Sequence, residues 1–182
     1  MIRLRRARVR PFVCTGGAAS VPSSPFALPM RLSDRLHQPR FTSNAQEAML
    51  NVITTQAWLH GEIARLLAPH HVTPAQYNVL RILRGSHPDP LPCSTVGERL
   101  LDRTPDVTRL LDRIQRAGLI ERGRAAHDRR VVEVRITPLG LERLAAVDPA
   151  MQAFNATLAA RLSEDDARRL SDLLDQLRGD DP

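Results

Sequence analysis

Between residues 44 and 68, apolar side chains recur every three or four positions: Met49, Val52, Ile53, Leu59, Ile63, Leu66 and Leu67. That period predicts an amphipathic helix, capped by Ser43 or Asn44 and stopped by Pro69. At Thr73-Pro74-Ala75-Gln76, threonine suits the N-cap, proline the first helical position, and glutamine closes a capping box. A second helix then carries Tyr77, Leu80 and Leu83 and ends near Gly85. A short helix over 94–101 is expected to turn Val96, Leu100 and Leu101 inward. After a break at Asp102-Arg103, Thr104-Pro105-Asp106 repeats the start signal, and Thr104 is the expected N-cap. Val107, Leu110, Leu111 and Ile114 then form one apolar stripe, and Gly118 ends the helix. Two short strands follow, 119–122 and 131–136, the second alternating apolar and polar residues. Residues 123–130 join them as a hairpin tip. A helix from Thr137-Pro138 to about residue 160 carries Leu141, Leu144, Ala145 and Met151 on one side. A last helix, from Ser163, carries Leu170, Leu173, Leu174 and Leu177.

The first forty residues break these periodicities. Residues 1–33 contain no acid, and Pro22-Ser23-Ser24-Pro25 cannot lie inside a regular helix. Residues 1–40 are expected to be a disordered basic extension. A secretory or twin-arginine signal needs a longer apolar run than Phe12 to Val21, which Gly16-Gly17 interrupt. A transit peptide fits the composition, with nothing else in its favour. The favoured account is translation from Met30, the upstream part being a gene-model artefact or a non-specific DNA-binding tail.

Composition sharpens the picture. Of 182 residues 42% are hydrophobic but only 3% aromatic, so the core must be aliphatic, which suits packed helices. The net charge is +6, and all 26 basic residues are arginine, whose planar fork suits phosphates and base edges. Residues 94–136 hold ten arginines against seven acids, whereas 137–182 hold five against nine. A basic segment followed by an acidic one points to a polyanion-binding face and a C-terminal part with another task. Apolar runs are too short for a transmembrane helix. Cys14 and Cys93 form no CxxC pair, so a reducing, cytoplasmic setting is expected. His37, His60, His70, His71, His87 and His127 show no ligand spacing, and no metal or cofactor is expected. His127 reads as a solvent-exposed loop residue.

Two short helices, a tight turn and a basic hairpin predict a mainly α (α+β) fold, a winged helix-turn-helix with N- and C-terminal dimerisation helices. The winged part is 73–136 within a domain of 41–178; the dimerisation helices are 44–68 and 138–178. A B-DNA major groove about 12 Å wide admits one helix. Residues 104–117 offer a buried stripe on one side and Asp106, Thr108, Arg109, Asp112, Arg113 and Arg116 on the other. Asp106 and Asp112 are expected to pair with Arg109, Arg113 or Arg116 at helical spacing, or to accept from a cytosine amino group. Arg122, Arg124, Arg129 and Arg130 crowd the hairpin and suit the electronegative minor groove. Asp128 among them is expected to orient a guanidinium.

The run Thr-Pro-Asp-Val-Thr-Arg-Leu-Leu-Asp-Arg-Ile-Gln-Arg-Ala-Gly-Leu-Ile (104–120), with Asp-Arg-Arg (128–130) and Ile-Thr-Pro-Leu-Gly (136–140), resembles the MarR family of bacterial regulators. The resemblance covers about residues 44–178. It implies a homodimer built on the first and last two helices and a wing arginine, here Arg130, entering the minor groove beside Asp128. Arg109 would read bases, with Thr104 and Thr108 beside it. It also implies a cytoplasmic protein, nucleoid-associated when bound to double-stranded DNA, and a small aromatic or anionic effector. Trp58 and Tyr77 are candidates for the effector pocket, or for the core. Some family members sense oxidants through a cysteine in the first helix, where this chain has none. Cys93 lies at a helix start, which favours a thiolate, although a small semi-buried role fits as well.

The expected function is therefore a ligand-responsive repressor that binds a pseudo-palindromic operator as a dimer, with recognition helices about 34 Å apart. The alternative is a winged-helix protein-interaction module without DNA binding. An enzyme is not expected: the chain shows no nucleophile elbow, phosphate loop or metal motif.

Overall fold

The computed structural model describes residues 30–101, 106–125 and 128–179. The chain forms two compact units that divide between Glu47 and Ala48. Within the first, Leu32–Arg35 make a single helical turn, α1, with Leu32 buried, inside the stretch expected to be disordered. Ser43 caps α2 (Asn44–Leu67): its Oγ accepts from the Gln46 amide at 3.1 Å, while Gln46 Oε1 accepts from the Thr42 amide at 2.7 Å. The extension up to residue 29, including Cys14, lies outside the described residues.

The second unit holds the rest of α2 and a 3₁₀ turn at Ala68–His70. Then come α3 (Pro74–Ser86), β1 (Leu91–Pro92), α4 (Cys93–Glu98), α5 (Val107–Arg116), β2 (Ile120–Arg124), β3 (Val132–Ile136), α6 (Pro138–Ala159) and α7 (Glu164–Arg178). The capping box at Thr73 is formed as its sequence dictates. Thr73 Oγ1 accepts from the Gln76 amide at 3.3 Å, and Gln76 Oε1 accepts from the Thr73 amide at 2.9 Å. The three strands are antiparallel in the order β1-β3-β2, with Leu91 opposite Val134 and Arg122 opposite the same residue from the other side. β1 escaped the sequence pattern because two residues cannot show a period.

The apolar stripes meet in one core. Val79, Leu80 and Leu83 of α3, Val96 of α4, and Leu110, Leu111 and Ile114 of α5 pack with Leu119, Ile120, Val134, Ile136 and Leu144. A smaller cluster joins Leu67, Val72 and Val147. Arg84 Nη1 reaches Asp148 Oδ2 at 2.7 Å and so ties α3 to α6.

The join between hairpin and α6 explains the Ile-Thr-Pro-Leu-Gly run. Thr137 Oγ1 accepts from the Gly140 amide at 3.1 Å and donates to the Gly118 carbonyl at 2.7 Å. Gly118, at φ +72°, closes α5. Its amide donates to Gln115 O at 2.8 Å and the Leu119 amide donates to Ile114 O at 3.2 Å, the two bonds of a Schellman motif.

Several expectations need correcting. α4 begins at Cys93 and stops at Glu98, so Leu101 lies beyond it and is 79% exposed. Ala145 faces outward, since the buried side of α6 runs through Gly140, Leu144 and Val147. α5 starts at Val107, not at residue 104. Asp106 is its cap, its Oδ1 accepting from the Arg109 amide at 2.9 Å. A carboxylate satisfies the positive end of a helix better than a hydroxyl does. The Asp102-Arg103 break, Thr104 and Pro105 lie outside the described residues. So does His127.

Candidate nucleic-acid interface

α5 is amphipathic by necessity. Its three buried residues fix one face to the core, so the other face is presented outward. Thr108, Arg109, Arg113 and Arg116 are all exposed. Asp106 caps the helix and also holds the nearest of these arginines: Arg109 Nε lies 2.8 Å from Asp106 Oδ2, with the Arg109 side chain 84% exposed. The expected helical pairing therefore forms at Asp106. Such an exposed pair contributes about 0–1 kcal/mol, so DNA could displace it at little cost. Thr104 cannot be placed relative to this face, since it lies outside the described residues.

Asp112 does not pair with Arg109, Arg113 or Arg116 as expected from spacing. Arg116 Nε donates to the Asp112 backbone carbonyl at 3.3 Å, while the Asp112 carboxylate takes a hydrogen bond from Arg122 of β2. Arg122 also donates from Nε to Gln115 Oε1 at 2.6 Å. It is therefore turned inward onto α5, unlike the other wing arginines. The signal was present in the sequence. Arg122 follows buried Ile120 by two positions, which in a strand places both on one face. On the opposite face Glu121 and Arg135 sit across from each other, 3.5 Å apart.

At the wing, Arg124, Asp128, Arg129 and Arg130 are exposed. Among the described residues, no guanidinium is held by Asp128. Its Oδ1 accepts from the Arg130 amide at 2.8 Å, a local turn that sets the backbone of Arg130 and leaves the Asp128 contact off the guanidinium. The Arg124 guanidinium donates instead to the Arg129 carbonyl, bracing the two sides of the hairpin.

Tyr77 and Trp58 are separated. Tyr77 lines an apolar cavity of about 480 Å³ with Leu59 and Ile63 of α2, Arg81 of α3, Leu170 and Leu174 of α7, and the exposed Leu101. Arg81 donates to Asn78 Oδ1 at 3.0 Å on the cavity wall. Trp58 lies in a shallower groove, 6.3 Å from the Phe154 ring and with the Arg161 guanidinium 5.2 Å from its own centroid. Cys93 is half-buried against the core, and burial raises its thiol pKa despite the opposing Arg122 charge. The small, semi-buried role therefore describes it better than a thiolate. Among the described residues no group of three His, Cys, Asp or Glu could hold a metal, and no helix is long and apolar enough to cross a membrane.

Comparison with known proteins bears on this arrangement. Residues 70–131 match the model of the MarR family. A MarR transcription factor from Planctomyces limnophilus is 33% identical over 75% of this chain and 99% of that one, with a TM-score of 0.55. The MepR protein of S. aureus, solved as a complex with DNA, shares the fold: 24% identity, 76% of this chain and 97% of that one, TM-score 0.64. The HTH-type transcriptional regulator YdgJ of Bacillus subtilis (strain 168) is 28% identical over 92 residues, half of this chain and 56% of that protein's length. With a winged helix-turn-helix, a basic wing and a relative matched from end to end, this chain belongs to the MarR family of transcription regulators.

Proposed function

We propose that the protein is a homodimeric regulator that binds a pseudo-palindromic operator in double-stranded DNA, with α5 in the major groove and the wing in the minor groove. The observation that carries this reading is the outward face of α5, rich in arginine and held by a fully apolar inner face, next to an exposed arginine hairpin. Its fold is also that of MepR, a protein solved with DNA bound. Arg109, Arg113 and Thr108 would meet bases and phosphates, with Asp106 presenting Arg109. Arg130 and Arg129 would reach the minor groove, with Arg124 and Asp128 shaping the hairpin. Arg116 would serve the phosphate backbone.

The dimer is supported by what the second unit leaves uncovered. Leu162, Leu170, Leu173 and Leu177, with Met49, Val52 and Ile53 of α2, are exposed large apolar residues. The cavity at Tyr77 supports an effector site. It is mostly apolar, with Arg81 available to an anionic group, and fits a small aromatic acid better than a highly charged ligand. A ligand that prefers dimers with misplaced recognition helices would release DNA by that differential affinity, the behaviour of a repressor relieved by its effector.

The test is fluorescence anisotropy of the full chain against DNA flanking its own gene and a scrambled duplex, over a salt series. Tight binding to the first alone, with two protomers per site, is expected. Salt-insensitive or absent binding would favour the protein-interaction module. Arg130→Ala should weaken binding to both duplexes and reduce the salt slope by about one, the loss of one phosphate-neutralising charge. Arg109→Ala should cost about 1–3 kcal/mol and relax sequence preference at one position per half-site. If either variant binds as the parent does, the role given to that arginine is wrong.

A further inference from the structure

Arg122 carries a positive charge in the region assigned to DNA, yet its guanidinium is already engaged. Nε donates to Gln115 Oε1 at 2.6 Å and Nη2 to Asp112 Oδ1, and only 23% of the side chain is exposed. Asp112 and Gln115 lie three residues apart on α5, so their acceptors share one side of the helix. A planar guanidinium can serve both acceptors at once, which an ammonium on a flexible stem cannot do with the same geometry. Among the described residues these are the side-chain hydrogen bonds that join α5 to the hairpin. The other arginine ties here stay within α5 and its cap or within the hairpin: Arg109 to Asp106, Arg116 to Asp112 O, Arg124 to Arg129 O and Arg135 to Glu121.

We propose that Arg122 is a positioning residue of the DNA interface: clamped to Asp112 and Gln115, it fixes the wing relative to the recognition helix. The proposal rests on the DNA-binding reading above. A two-groove reader needs such a tie. The hairpin is short, and its strands are anchored to the core at their base by Ile120, Val134 and Ile136. Gly123 next to the clamp has no side chain with which to add an anchor. A small rotation at the base would move the tip arginines along the DNA and break the register between the two grooves.

Charge and position can be separated experimentally. Arg122→Gln removes a positive charge, and Asp112→Ala removes a negative one together with the acceptor that Arg122 uses. If charge alone matters, the first weakens DNA binding and the second strengthens it. If the clamp matters, both lower affinity for the gene-flanking duplex by about tenfold or more. Both then leave affinity for the scrambled duplex and the salt slope close to the parent's. The double variant should be no worse than the more affected single one, since both break the same tie. Thermal midpoints recorded alongside identify any variant that has lost its fold, and Asp112→Ala, which suits a helix, is the safer of the two. Opposite shifts, or a salt slope reduced by about one in Arg122→Gln, would show Arg122 to be a phosphate contact and overturn the proposal. Parent-like discrimination in both folded variants would overturn it as well. A parent that fails to discriminate the two duplexes would remove the DNA-binding reading itself, and the clamp's purpose with it.

Discussion

Gly140→Ala is expected to destabilise the fold by about 3 kcal/mol, at the upper end of the usual cost of overpacking. A Cβ at this position would lie 2.3 Å from the Leu119 carbonyl oxygen and 2.7 Å from Ile136 Cγ1. The carbonyl cannot swing away, because it accepts the Thr137 amide at 3.1 Å. Nor can Thr137 move freely, since its hydroxyl bridges Gly118 O and the Gly140 amide. The added methyl must therefore push the start of α6 off the hairpin. Helix propensity works the other way and favours alanine by about 1 kcal/mol, so the steric term decides the sign. Gly85→Ala in α3 is the control, because nothing lies within 4 Å of a Cβ there. It should be neutral or stabilising by up to about 1 kcal/mol. Urea unfolding at matched protomer concentration measures both, since any dimer makes stability concentration-dependent. Equal midpoints for Gly140→Ala and parent would mean that the close approach at Leu119 relaxes freely.

Leu173→Asp combined with Leu177→Asp is expected to convert the protein to a folded monomer and to reduce operator affinity by about 10²-fold or more. No residue of α7 is buried within one chain, and Leu173 and Leu177 are 53% and 62% exposed. If the protein were a monomer, two such surface changes would shift stability by no more than about 0.5 kcal/mol each. In a dimer that covers this stripe, each leucine contributes about 1.5–3 kcal/mol of burial, and each new carboxylate would lack a partner. DNA affinity then falls because one recognition helix must bind without the second tethered beside it. Sedimentation velocity reads the oligomeric state, and anisotropy on the same samples reads the affinity. An unchanged sedimentation coefficient would exclude the α7 stripe from the interface.

The sequence by itself determined the features that depend on neighbours along the chain. The caps at Thr73, Thr137 and Ser163 and the ends of α3 and α6 follow from bonds spanning three or four residues. The apolar stripe of α5 needs only the helical period, and it identified the outward face that carries Arg109 and Arg113. The family motifs in 104–140 were legible for the same reason: each is a local turn or helix start with little freedom in residue type.

The tertiary structure decided which groups meet across elements. Spacing along one helix suggested Arg109, Arg113 or Arg116 for Asp112; a strand ten residues away supplied Arg122 instead. Asp106 displaced Thr104 as the cap because where a helix begins depends on how its whole apolar face seats on the core. Leu101, apolar and at the right interval, was expected inside and lies outside, beside the cavity that Tyr77 lines and Trp58 does not. Helical spacing says nothing of the hairpin carbonyl that lies against Gly140. The physical reason is common to all four. Periodicity tells which face of an element avoids water, whereas partners are set by the relative placement of elements distant in the chain.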